Sequence, residues 1–355
     1  MSSAKGLFSP FSTGSLRLRN RFVMAPMTRT RSPGGIPTPD VVEYYRRRAR
    51  HGVGLIVTEG TTVDHPVATY HPDVPRFHGE ALPWWKKIAD AVHAEGGAII
   101  PQLWHVGATR RPGTLPHPEE MSVGPSGLVA PGKKKVREMT EQDIADVIAA
   151  FAKSAGYAKE LGFDGIELHG AHGYLIDQFF WSGLNERTDS WGGGLAERTR
   201  FGAEIVRACR KVVGPDFSIV LRFSQWKQQD YAAKLAETPE ELAAFLGPLV
   251  DAGVDVFHCS QRRFWLPEFD GSDLNLAGWT KRLSGKPTIT VGSVGLDQEF
   301  LGAFGGQGAG IRGIEDLVQR FERGEFDLVA VGRALLQDAA WVEKVEHGRM
   351  SEIRP

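Results

Sequence analysis

Cysteine is scarce in this chain: Cys209 and Cys259 are the only two among 355 residues. Two thiols build no disulfide framework, and they are too few to hold a protein-bound iron–sulfur cluster. Their scarcity suits a reducing cytoplasm, the expected location. Net charge is close to nil as well, with 42 Lys and Arg against 43 Asp and Glu, a formal −1. Without a basic excess, nucleic acid and membrane surfaces are not expected partners. No stretch approaches the ~20 consecutive apolar residues of a bilayer span. The start, Met1 to Gly6, carries a lysine with no apolar segment behind it, so no secretory leader is expected. Glycine, in contrast, is plentiful at 42 residues, so many backbone positions must serve tight turns or close ligand approach. The length exceeds the ~150 residues common for one domain. It fits a single α/β barrel of ~250 residues carrying ~100 residues of inserted loop.

Eight short apolar runs recur along the chain: Arg21–Pro26, Val53–Glu59, Ala98–Leu103, Asp164–His169, Ser218–Phe223, Val254–Cys259, Pro287–Val291 and Asp327–Val331. They are rich in Val and Ile and nearly continuously apolar, as parallel strands buried on both faces are. Helical patterns separate them over Pro39–Arg50, Pro83–Glu95, Thr140–Leu161, Glu197–Val213, Pro239–Ala252 and Ile314–Arg323. In Thr140–Leu161, Thr140 starts a capping box with Asp143, Ile144, Val147, Ile148, Phe151 and Ala155 share a face, and Gly162 ends the helix. Strand and helix alternating eight times predict a closed (β/α)8 TIM barrel, one domain over residues 1–355. A doubly wound open sheet is the second choice, and the missing G-x-G-x-x-G after the first run counts against it. The segment before Arg21 is expected to close the barrel floor. The Pro- and Gly-rich stretch Arg111–Arg137 is expected to cap the mouth after strand three.

In such barrels chemistry sits at the carboxyl ends of the strands. There the sequence places Ala25-Pro26-Met27-Thr28, Glu59-Gly60, Gln102-Leu103-Trp104-His105, His169-Gly170-Ala171-His172-Gly173-Tyr174, Arg222, His258-Cys259-Ser260, Gly292-Ser293 and Gly332-Arg333. The loops after strands seven and eight are the usual phosphate site of the fold, and Arg333 adds a charged fork; the plainer reading is two turn glycines. His169-x-x-His172 fits a metal only if a third ligand joins from His105, Glu59 or His258. The pair fits better as two neutral N–H donors to one substrate oxygen. Tyr174, protonated at neutral pH, has a proton to give, or it packs with its hydroxyl anchored. Arg222 at the end of an apolar strand needs an electron-rich partner, a ligand or a carboxylate such as Glu59. Gln102 offers donor and acceptors to an amide-like ring edge. The runs Arg46–Arg48 and Lys133–Lys135 read as solvated faces.

Several motifs in order carry a resemblance: N-R-F-V-M-A-P-M-T-R at Asn20–Arg29, G-F-D-G-I-E-L-H-G-A-H-G-Y-L-I-D-Q-F at Gly162–Phe179, N-E-R-T-D-S-W-G-G at Asn185–Gly193, E-R-T-R-F at Glu197–Phe201 and F-D-L-V-A-V-G-R-A-L-L at Phe326–Leu336. From about Leu7 to about Leu336 the chain resembles the old yellow enzyme family of FMN-dependent ene reductases, which includes oxophytodienoate reductases and NADPH dehydrogenases. The resemblance implies one non-covalent FMN, NADPH or NADH as electron donor, and a small α,β-unsaturated carbonyl substrate. It implies that Ala25, Pro26, Met27 and Thr28 line the flavin, Thr28 also bordering the substrate, and that Gly60 and Gln102 touch the ring. It puts Arg222 near the ring edge that becomes negative on reduction, and the phosphate on Gly292, Ser293, Gly332 and Arg333. His169 and His172 would grip the substrate carbonyl, Tyr174 would protonate the α carbon, and Trp104 would line the substrate space. A monomer or homodimer is expected.

Three stretches depart from the family pattern: His105-Val106-Gly107-Ala108, where many relatives carry His-x-Gly-Arg, then Ser224–Gln229, and then Gln261–Gly271. All would border the substrate. Other functions fit less well. Relatives acting on amines or dienoyl-CoA carry cysteine-held clusters and added domains. A flavin barrel reducing nitro compounds or quinones stays open. A cofactor-free aldolase or isomerase would want a strand-end Lys or Glu, and only Glu59 is offered. A non-catalytic flavin module would not need His169, His172 and Tyr174 together.

Overall fold

All eight apolar runs form strands in the computed structural model, which describes residues 4–296 and 313–353. We label them β1 (Phe22–Met24), β2 (Leu55–Thr62), β3 (Ala98–Trp104), β4 (Gly165–His172), β5 (Ser218–Lys227), β6 (Val256–Ser260), β7 (Thr288–Val291) and β8 (Leu328–Val331). Each pairs in parallel with the next, and β8 pairs with β1, so the sheet closes on itself. Side chains alternate across a strand, and here the alternation sorts two cores. Val23, Leu55, Val57, Ala98, Ile100, Val220, Val256, Ile289, Leu328 and Ala330 form one buried cluster inside the barrel. Their neighbours, among them Phe22, Ile56, Ile99, Leu221, Phe257 and Val329, join a larger cluster with the outer helices.

The segment before Arg21 does close the floor. Phe11–Thr13 and Leu16–Leu18 form an antiparallel hairpin, and Leu16 and Leu18 complete the inner cluster. Ser15 and Ser218 stitch the hairpin to β5 through reciprocal N–H to hydroxyl bonds of 3.1 and 2.8 Å.

The outer helices include Pro39–Arg50, Leu82–Ala94, Glu141–Glu160, Arg200–Val213, Pro239–Ala252 and Glu315–Glu322. The capping box of Glu141–Glu160 is formed: Asp143 N donates to Thr140 Oγ1 at 3.2 Å and Thr140 N to Asp143 Oδ2 at 2.7 Å. A helix that the apolar pattern did not announce, Leu276–Ser284, fills the gap between β6 and β7, with Gly278 N donating to the Asn275 side chain at 2.9 Å. No helix among the described residues is long and apolar enough to cross a membrane.

One expectation gains detail and another needs correction. The stretch 111–137 folds into paired short strands, Val123–Gly124 with Arg137–Glu138 and Leu128–Ala130 with Lys133–Lys134. Buried Arg110 anchors it by donating to the carbonyls of Glu120 and Thr114, at 2.8 and 2.7 Å, and of His117. Arg111 of this stretch lines the cavity. Arg48 is buried and not part of a solvated face; it lies over the Tyr44 ring at 3.8 Å and donates to Leu335 O at 2.9 Å.

Candidate active site

A cavity of about 860 Å³ opens at the carboxyl ends of the strands. Ala25, Pro26, Met27, Thr28, Gln102, Trp104, His169, His172, Tyr174, Arg222, Gly292, Ser293, Gly332 and Arg333 all line it. Gly60 does not. It sits behind Trp104, and a Cβ there would come within 2.3 Å of the indole. The cause is a bulge in β2 between Val57 and Gly60, which lets the strand run on to Thr62. The absence of a side chain at position 60 makes room for Trp104.

A buried carboxylate organises the cavity floor. Glu167 lies two residues before His169, so both face inward on β4. Its Oε1 accepts from Gln102 Nε2 at 2.8 Å, and its Oε2 meets His258 Nδ1 at 2.7 Å. Arg222 donates from Nη2 to Ser260 Oγ at 3.2 Å, and its Nε has no partner among the described residues. Burial pulls the Arg222 pKa down from its ordinary value, with the Glu167 charge working against that pull. Glu59 is not its counter-ion. Glu59 accepts from Arg29 Nη2 at 2.7 Å and from Arg29 N at 3.1 Å, which fixes the turn after β1 that carries Met27 and Thr28.

His169, His172 and Tyr174 converge. The His169 ring lies 5.2 Å from that of His172 and 5.0 Å from that of Tyr174, between centroids. His172 stacks on Trp226 at 4.5 Å, and its Nε2 meets Ser260 Oγ at 2.7 Å. Burial first, then the Arg222 charge, holds both imidazoles well below their ordinary pKa. Each is therefore neutral near pH 7, with one ring N–H to give. His169 Nδ1 is buried and unpartnered among the described residues. Burial pushes the Tyr174 hydroxyl up to about 12, so it keeps its proton. His172 adopts φ 64°. A left-handed backbone costs a residue with a side chain roughly 1–2 kcal/mol, and such conformations concentrate where function requires a specific side-chain aim.

The opposite rim belongs to β7 and β8. Ser293 also has a left-handed backbone, φ 52°, and Gly292 has φ 148°. A Cβ on Gly292 would meet Gln261 O at 2.8 Å, so glycine is required there. Arg333 Nη2 donates to Ser293 Oγ at 3.4 Å. A flavin phosphate fits this donor set, and a flavin ring fits the unpartnered Arg222 Nε and the Gln102 amide edge.

Several residues of the site escaped the sequence reading. Glu167 was within reach, through its two-residue spacing from His169. Ser260 stood at a strand end without an assigned task. Trp226, Lys227 and Gln228 stood out only as part of the departing stretch 224–229, and their partners were not readable: Lys227 pairs with buried Asp177 at 2.6 Å across fifty residues of sequence.

Known proteins line up with this arrangement. A family model described as NADH:flavin oxidoreductase / NADH oxidase matches residues 6–352. NADH oxidase of Thermoanaerobacter brockii is 35% identical across 100% of this chain, which covers 52% of that protein. 12-oxophytodienoate reductase 7 of Oryza sativa subsp. japonica is 42% identical over 59% of this chain and 56% of its own length. The chain thus spans about half the length of these two relatives. A solved structure of morphinone reductase in complex with tetrahydroNAD shares the fold with a TM-score of 0.81 and 28% identity, covering 97% of this chain and 91% of that one. Motifs, closed barrel and family match run through the same residues, and the chain belongs to the NADH:flavin oxidoreductase / NADH oxidase family, that of the old yellow enzymes.

Proposed function

We propose that this chain is an FMN-dependent ene reductase that uses NADPH or NADH to reduce the C=C bond of a small α,β-unsaturated carbonyl compound. FMN, when bound, supplies the relay that takes hydride from the nicotinamide and passes it to the substrate β carbon. Gly292, Ser293, Gly332 and Arg333 would hold its phosphate. Arg222 and Gln102 would meet its ring, and Ala25 to Thr28 would line it. One nicotinamide and one substrate would use the same cavity in turn. A NAD(P)H-driven reduction suits the cytoplasm.

The observation that carries this reading is the convergence of two neutral imidazoles and a protonated phenol on one cavity wall. His169 and His172 would donate to the carbonyl oxygen and stabilise the charge that grows there during reduction. A preorganised donor of this kind is worth ~3 kcal/mol. Being neutral, the pair gives N–H bonds without protonating the oxygen outright. Tyr174 would deliver its proton to the α carbon. Trp104, stacked near His169 at 5.7 Å, would flank the substrate. Morphinone reductase and the 12-oxophytodienoate reductases support enone reduction by their names.

Tyr174→Phe tests it. In stopped-flow, reoxidation by cyclohexenone should slow ~100-fold or more, while reduction by NAD(P)H keeps its rate. Equal losses in both halves would remove Tyr174 from the role. A purified protein that stays colourless and takes up no FMN would favour the cofactor-free barrel instead.

A further inference from the structure

Beyond the bond from His172 N to Ser224 Oγ at 2.9 Å, the segment that departs from the family pattern after Arg222 is fastened to the turn carrying His172 and Tyr174 at four points. Lys227 Nζ donates to Asp177 Oδ1 at 2.6 Å, and Asp177 Oδ2 accepts from Gly173 N at 2.7 Å. Gln228 N donates to His172 O at 3.3 Å. Gln229 Nε2 donates to Gly173 O at 2.9 Å. A Cβ on Gly173 would lie 1.8 Å from Gln229 Oε1, so the two stretches touch as closely as glycine permits. The fourth tie is a side chain on the proton donor itself: Gln228 Nε2 donates to Tyr174 Oη at 2.8 Å. Gln228 also lines the cavity.

A phenol oxygen has one proton to give and lone pairs to accept with. An amide N–H on a lone pair leaves the O–H free for another partner. It also gains strength once the oxygen turns negative. We propose that Gln228 is the positioning residue of the proton-transfer step: it directs the Tyr174 proton to the substrate and stabilises the phenolate left behind. This rests on the ene reductase reading. In that step the Tyr174 O–H bond breaks, a C–H bond forms at the α carbon, and the O–H electron pair stays on Oη. The hydride on the β carbon originates from NAD(P)H, and water later returns a proton to the phenolate. The bond from Gln228 also works against the upward push of burial on the Tyr174 hydroxyl.

The reverse orientation, with the Gln228 carbonyl oxygen accepting the Tyr174 proton, would hold that proton away from substrate, and substitution separates the two. Gln228→Leu in the FMN-loaded protein should slow reoxidation by cyclohexenone about tenfold more than it slows reduction by NAD(P)H. It should add little to the loss already caused by Tyr174→Phe. Gln228→Glu installs an acceptor: near pH 8 it should be as slow as Gln228→Leu, and it should regain rate as the carboxylate protonates, an acid limb the natural protein lacks. A readout independent of turnover is the 13Cζ resonance of Tyr174 in the loaded protein, assigned among six tyrosines by Tyr174→Phe. It should shift in Gln228→Leu and titrate with the carboxylate in Gln228→Glu. Unchanged enone kinetics in Gln228→Leu beside a slow Tyr174→Phe overturn the role of Gln228 alone. A fast Tyr174→Phe removes Tyr174 as the proton donor and this proposal with it, whereas a loaded protein that cyclohexenone does not reoxidise overturns the ene reductase reading.

Discussion

The lower and upper halves of the barrel interior are built from the same eight strands and obey opposite rules. Below, Val23, Leu55, Ile100, Val220, Val256 and Ile289 close around Leu16 and Leu18 with apolar contact alone. Above, one step further along the same inward faces, stand Gln102, Glu167, His169, Arg222 and His258, all buried. The lower half contributes stability by removing apolar area from water. The upper half spends stability on charged and polar groups, three of which keep buried nitrogens without a partner among the described residues: His169 Nδ1, Arg222 Nε and His258 Nε2. A self-sufficient core satisfies such atoms. The division marks where folding ends and ligand binding begins.

Substitutions at the two levels should therefore part company. The largest effect belongs to the floor. Leu16→Ala, at a fully buried position, should cost about 2–5 kcal/mol by denaturant unfolding and leave FMN affinity as it was. If FMN affinity fell in step with stability, the two halves would be one unit. Arg222→Met should act the other way, raising the stability of FMN-free protein by about 1 kcal/mol, as relief of a functional site often does, while fluorescence titration shows weakened FMN binding. A loss of stability in FMN-free Arg222→Met would place the guanidinium among the structural groups.

The smallest effect is the pH dependence. His169 and His172 have pKa values lowered in the fold, chiefly by burial. The unfolded chain takes up protons below about 6.5, where the folded chain does not. Their contribution is complete above that pH and is lost as pH falls toward the folded values. Melting temperature should drop between pH 7 and pH 5, and drop less in a His169→Asn/His172→Asn variant. Identical slopes would remove these two residues as the cause.

The lower half was the legible half. Parallel strands covered on both faces leave continuous Val- and Ile-rich runs, and all eight runs became strands. Leu276–Ser284 was harder to see, because it is short and carries Gly278 in its first turn; its Asn275 cap was the available sign. In the upper half, strand ends pointed to His169, His172, Arg222 and the two glycine rims. What they did not show was pairing between distant strands. Glu167 joins Gln102 and His258 across three strands, and Gln228 reaches Tyr174 from the residue just past β5. Gly60 lies outside the cavity lining beside a bulge that shifts the register of β2.

That bulge leaves an adjustable wall. Trp104 occupies space that any side chain at position 60 would claim, with 2.3 Å between the indole and the nearest added atom. Even a methyl group there must displace the indole, whose ring neighbours include His169 and Tyr174. Cavity width can thus be set from a position outside the cavity lining, and evolution or a protein engineer seeking to admit slimmer molecules has there a remote handle through which to narrow the chamber.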